Sequence, residues 1–163
     1  MRTLSLLLFL TVIFCEESSS QEAKVDNEPR ETSTAAIKTA LSFINKYVDY
    51  CNDLNPEITL KDWIDEQSQV TEQFKKELKR TIAKADQQEP QLGIGADPIF
   101  DAQDYPENGF EVDTSHKESD LIRVQGKEWK DFKLNIKMTL KNGQWFVNGI
   151  GMINMSENER FER

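Results

Sequence analysis

Residues 132–141 alternate without a break. Phe132, Leu134, Ile136, Met138 and Leu140 share one parity; Lys133, Asn135, Lys137, Thr139 and Lys141 share the other. A period of two puts every apolar member on one face of a strand, and a helix would scatter them. Asn142-Gly143 follows, the pair best suited to a two-residue type I′ turn, where both positions need φ > 0. The chain then returns through residues 144–155. With Asn142 and Gly143 as the loop, Lys141 faces Gln144, Leu140 meets Trp145 and Met138 meets Val147. The same parity pairs Ile136 with Gly149, Leu134 with Gly151 and Phe132 with Ile153. Two glycines on one face leave a strip without side chains and permit a sharp bend. The register therefore predicts a strongly curved sheet, apolar face inward. The opposite parity carries Phe146, Ile150 and Met152, three apolar residues that need a cover. A second copy docking through the sheet, the N-terminal segment or a partner protein would supply one.

Upstream the period is helical. Ile37, Ala40, Leu41, Ile44, Tyr47, Val48, Cys51 and Leu54 form one stripe, with Thr32, Ser33 or Thr34 as its cap and Asn55-Pro56 as its stop. A short helix is expected over residues 60–66 around Trp63 and Ile64. Thr71 caps a third helix with the stripe Phe74, Leu78, Ile82 and Ala85. Its other face carries Lys75, Lys76, Lys79 and Arg80 interleaved with Glu72 and Glu77, which reads as a solvated surface. Residues 91–108 form a loop, and Phe110/Val112 and Ile122/Val124 mark two further short strands. Helices first and strands after give an α+β domain: N-terminal helices packed on a curved, mainly four-stranded antiparallel sheet.

The first residues read as an export signal. Arg2 is basic, and residues 4–14 are apolar apart from Ser5 and Thr11. As a helix this run would span about 16 Å, half of a hydrocarbon core, so it is a leader rather than a membrane span. Two processing routes fit. Cys15 stands where a bacterial lipoprotein is lipidated, with Val12 and Ile13 in the pattern and Phe14 outside it; ordinary cleavage after Ser20 is the other. The expected organisation is a signal over 1–15, a polar tether over 16–31, a domain over 32–155 and a polar tail over 156–163, exported to a bacterial periplasm or outer envelope. A membrane would be met only through a lipid on Cys15.

Charge and cysteine usage exclude several classes. With 20 Lys+Arg against 29 Asp+Glu the net charge is -9, which opposes binding to a nucleic-acid backbone. One His and two Cys cannot build a zinc cage. No cofactor or metal is expected. Removal or lipidation of Cys15 leaves Cys51 alone, and its reading is a small apolar residue on a helix face. His116 sits in a polar run without an elbow motif, so no nucleophile–base pair suggests itself.

The remaining chemistry lies in residues 97–106, Asp-Pro-Ile-Phe-Asp-Ala-Gln-Asp-Tyr-Pro. Asp97, Asp101 and Asp104 could present hard oxygen ligands, or Asp104 could act as a base beside Tyr105; alternatively the aspartates cap turns while Pro98, Ile99, Phe100 and Pro106 hold the loop. This motif resembles the "D-P-I-x-x-A-Q-D" stretch of a family of small exported bacterial proteins of unknown function. The order of helices, long loop and four strands ending in Asn142-Gly143-Gln144-Trp145 is similar to the nuclear-transport-factor-2-like (cystatin-like) superfamily. The resemblance implies a cone-shaped domain with a pocket or mouth formed by Asp97, Asp101, Asp104, Tyr105, Trp145, Gly149 and Gly151. The inward positions of the last hairpin carry no ionisable group, so the expectation is a non-enzymatic binding domain for an apolar small molecule, or for a protein on the face of Phe146, Ile150 and Met152. The alternative is a small hydrolase or isomerase using Asp104 and Tyr105.

Overall fold

The structure, a computed structural model, describes residues 34–91, 93–115 and 121–162. The export signal with Cys15, the tether and His116 lie outside the described residues. Three helices come first: α1 (Thr34–Asn52), α2 (Leu60–Glu66) and α3 (Glu72–Gln88). Strands β1 (Phe110–Val112), β2 (Leu121–Gly126), β3 (Lys133–Lys141) and β4 (Gln144–Ile150) follow, then one 3₁₀ turn over Glu157–Glu159. The strands form a single antiparallel sheet in chain order, and the fold is α+β.

Side-chain caps set the starts of α2 and α3. The hydroxyl of Thr59 accepts the Asp62 N–H at 3.3 Å, and that of Thr71 accepts the Phe74 N–H at 3.1 Å. α1 buries Ala36, Ala40, Phe43, Ile44, Tyr47 and Val48 against the inner side of the sheet. Phe43, absent from the expected stripe, lies at its centre with Trp63 and Phe74 around it. Leu54, expected on the stripe, is 92% exposed, because α1 ends at Asn52 and the stripe ends with it.

The final hairpin agrees with the predicted register near its turn and departs from it further down. Asn142 and Gly143 have φ of 50° and 78°, as a type I′ turn needs. Lys141↔Gln144, Leu140↔Trp145 and Met138↔Val147 pair as expected. Then Lys137 pairs with Gly149 and Ile136 with Ile150, so Asn148 is an inserted residue, a β-bulge. An odd insertion exchanges the two faces for everything after it. Ile150, expected on the outer face, is 0% exposed in the core; Gly149, expected inside, faces outward. A Cβ on Gly149 would lie 2.9 Å from Asn154 O and 3.0 Å from Met155 Sδ, so the following segment fills that gap. The pairings of Leu134 with Gly151 and Phe132 with Ile153 do not form, because β4 stops at Ile150. Ile150 and Ile153 exchange both backbone hydrogen bonds (3.0 and 2.9 Å) around a tight reversal with Gly151 at φ 55°. Leu134 and Ile136 still face the core, 3% and 0% exposed.

Each edge of the sheet is occupied at one residue, the first of β1 and the middle of β4. On β1 the side-chain amide of Asn45, from α1, accepts the Phe110 N–H at 2.8 Å and donates to its carbonyl at 3.1 Å. On β4 the link between α2 and α3 runs parallel to the strand: Val147 N–H donates to Gln69 O at 2.9 Å, and Thr71 N–H donates to Val147 O at 3.0 Å.

Candidate functional site

The loop over residues 97–105 is folded by its own first residue. Asp97 Oδ1 accepts the N–H groups of Ile99 and Phe100 at 2.8 and 2.7 Å, an Asx-type turn. Its backbone N–H donates to Ala102 O and its carbonyl accepts from Asp101 N–H, both at 2.8 Å. This closes a knot that forces Asp101 to φ 55° and drives Ile99 and Phe100 into the core. The second carboxylate oxygen, Oδ2, accepts the hydroxyl of Tyr47 from the middle of α1. On the far side Met152 N–H donates to Pro98 O at 2.8 Å, and Gly151 packs against the carbonyls of Pro98 and Ile99. The loop is thus clasped between α1 and the reversal after β4.

Burial sets the electrostatics. It raises the Asp97 carboxyl above its ordinary value, partly offset by the Tyr47 hydroxyl and the two backbone donors. The Tyr47 phenol is raised by burial and then by the charge of Asp97. Cys51, one turn along α1, has its thiol pushed up to about 12 by burial and by Asp97. Tyr50 and Tyr105 are raised chiefly by desolvation at the rim. The cluster favours neutral groups, and each oxygen of Asp97 already has a donor, so it holds a loop rather than moves a proton.

The other sequence-predicted positions are placed as follows. Tyr105 stacks on Phe100 with ring centroids 4.6 Å apart and donates its hydroxyl to Asn52 Oδ1 at 3.1 Å. Asp104 is exposed. Asp101 pairs with Arg160 at 3.4 Å. Trp145 is half-buried opposite Leu140, close to the hairpin turn. Gly149 is covered by Asn154 and Met155, and Gly151 by the loop carbonyls of Pro98 and Ile99, its other side lining a small cavity with Leu134, Asp101 and Phe161. Of the proposed interaction face, Phe146 and Met152 are half-buried, while Ile150 belongs to the core. Among the described residues no group of three His, Cys, Asp or Glu side chains is arranged to hold a metal ion, and no helix is long and apolar enough to cross a membrane.

What the sequence reading missed is the aromatic continuity around the loop. Tyr47 contacts Trp63, Phe100 and Tyr50 at centroid distances of 5.3, 4.9 and 6.0 Å, and Tyr50 contacts Trp63 at 5.2 Å. The half-buried rings of Tyr50 and Tyr105 form the outer rim of this cluster, beside the buried Tyr47 and the half-buried Asp97. The helical spacing of Tyr47, Tyr50 and Cys51 was available as a signal; their meeting with residues 97–105 is a tertiary fact. No protein-family model, no curated protein and no solved structure matches this chain.

Proposed function

We propose that the chain is an exported, envelope-tethered binding domain without catalytic activity, built as the strongly curved, cone-like member of the nuclear-transport-factor-2-like superfamily that its motifs resemble. Its ligand is an apolar small molecule at the aromatic rim or a protein on the outer face of the sheet. One observation carries this reading: the loop with the most concentrated chemistry has its half-buried carboxylate engaged by three donors, which makes it scaffold. What that scaffold presents outward is the rings of Tyr50 and Tyr105 and a sheet face, surfaces suited to binding. The hydrolase or isomerase alternative needs Asp104 in a cavity with Tyr105 free to polarise a carbonyl. Asp104 is instead exposed and the Tyr105 hydroxyl is committed to Asn52.

Native mass spectrometry with light scattering on the mature chain tests the reading. A co-purifying mass or a stable complex is expected; a bare monomer from every host fraction would overturn it. Intact-mass measurement of the exported protein tests the tether separately, since lipidated Cys15 adds acyl mass and cleavage after Ser20 does not.

A further inference from the structure

The outer face of β2 and β3 is basic although the chain as a whole is acidic. Arg123 on β2 and Lys133 and Lys137 on β3 point away from the core, with Asn135 between them opposite Arg123; Lys133 is paired with the Asp113 carboxylate at 2.8 Å, so Arg123 and Lys137 are the cations that meet the returning segment. The residues after β4 turn back across this face. The Glu159 carboxylate meets Lys137 Nζ at 2.7 Å, and its backbone carbonyl accepts from Asn135 Nδ2 at 2.8 Å. The Phe161 ring lies under the Arg123 guanidinium, 5.0 Å from the ring centroid. Arg160 turns the other way, to Asp101.

We propose that this face is a receptor for an extended acidic–aromatic peptide segment of the form Glu-x-Phe, and that residues 159–161 occupy it in cis until a partner segment displaces them. The inference rests on the binding-domain reading and deepens it by naming the partner's chemistry. Three features support it. First, the recognition elements are positioned by the sheet itself: Asn135 Oδ1 accepts Arg123 Nε at 3.2 Å, so one amide orients the guanidinium and offers its Nδ2 to the incoming carbonyl. Second, the charges are complementary: Lys137 meets the Glu159 carboxylate and Arg123 covers the Phe161 ring, and such a cationic pair favours an acidic–aromatic occupant. Third, the occupying segment is anchored by side chains and one carbonyl, its only regular structure is a single 3₁₀ turn, and Lys137 and Glu159 each keep part of their surface in solvent. A segment held that way exchanges readily with a chemically equal competitor.

The test uses a fluorescein-labelled synthetic peptide spanning residues 155–162 and fluorescence anisotropy. It is titrated into the chain, into the double variant Glu159→Lys/Phe161→Ala, and into that variant with Lys137→Glu added. Releasing the internal segment should tighten peptide binding at least about tenfold over the unaltered chain, and Lys137→Glu should abolish the gain. Equal affinity for the first two proteins, or no binding to a double variant whose near-ultraviolet circular dichroism matches the parent, overturns the inference. If the double variant does not fold, the unaltered chain with 4-fluoro-Phe161 decides: excess unlabelled peptide must shift the fluorine resonance to its solvent-exposed position, and an unmoved resonance refutes displacement. Because the probe is synthetic, its failure leaves the wider reading standing wherever native mass spectrometry still finds a bound species.

Discussion

Replacing Asp97 tests the claim that this carboxylate is scaffold. Asp97→Ala strands three donors at once: the Tyr47 hydroxyl and the backbone N–H groups of Ile99 and Phe100, all on residues 1% exposed or less. Each buried unsatisfied donor costs about 1–3 kcal/mol. Removing a carboxyl that burial already disfavours in its charged form offsets part of that cost. The expected loss is about 2–5 kcal/mol, against a typical domain stability of about 5–15 kcal/mol. Asp97→Asn keeps Oδ1 for both backbone donors, and its Nδ2 can donate to a rotated Tyr47 hydroxyl, so its cost should stay under about 1.5 kcal/mol. The two variants also differ in their response to pH. The folded-state pKa of Asp97 is raised, so proton uptake favours the fold; that contribution is complete below the unfolded value of about 3.9 and is lost as pH rises through the folded value. Asp97→Asn should therefore gain on the parent chain as pH rises above about 4 and level off once the folded carboxyl is ionised. Urea unfolding followed by tryptophan fluorescence reads this, with Trp63 5.3 Å from Tyr47 as a local reporter. An asparagine variant as damaged as the alanine variant, or a pH slope of opposite sign, would refute the account.

Three further outcomes are expected. Gly151→Ala should cost about 2–4 kcal/mol in the same assay, because its φ is 55° and a Cβ would lie 2.6 Å from Pro98 O; a cost under about 1 kcal/mol would mean the clasp yields easily. In a chain carrying Cys15→Ser, the Cys51 thiol, pushed up to about 12, should react with a disulfide reagent at pH 8 about a thousandfold more slowly when folded than when unfolded, and equal rates would refute its burial. Glu159 has its carboxyl lowered to about 2, chiefly by Lys137 and then by Ser156, so its contact is complete above the ordinary glutamate value and is lost as pH falls toward 2. Relaxation of residue 161 amides should show ordering at pH 6 and release near pH 2.5, with Lys137→Met loosening the segment already at pH 6.

Local chemistry made much of the fold legible. The short helix over residues 60–66, the Thr71 cap and the Asn142-Gly143 turn each depend on neighbours within four positions, and each stands where the sequence puts it. The face exchange at Asn148 does not. Its side chain carries no strand or bulge signature of its own, and what stabilises the bulge is distant: Thr71 Oγ1 bonds Asn148 Oδ1 at 2.7 Å, and Asn154 Nδ2 donates to Asn148 O at 2.7 Å. One unread residue was enough to place Ile150 and Gly149 on the wrong sides. The loop was legible in kind, since turn-capping aspartates were one of its two readings, but Tyr47 as the partner of Asp97 spans fifty positions and left no local trace.

The plugged borders of the sheet bear on how these molecules behave when crowded. Polymerisation by strand addition needs a rim of unsatisfied main-chain groups, and sheets with bare rims template fibres. Here a carboxamide from a helix mimics a neighbouring strand on one rim, and an interhelical linker lies along the other. A population packed at high density would therefore gain little from rim-to-rim contact, and any self-association would have to go through side-chain surfaces, where it can be saturated instead of growing without end.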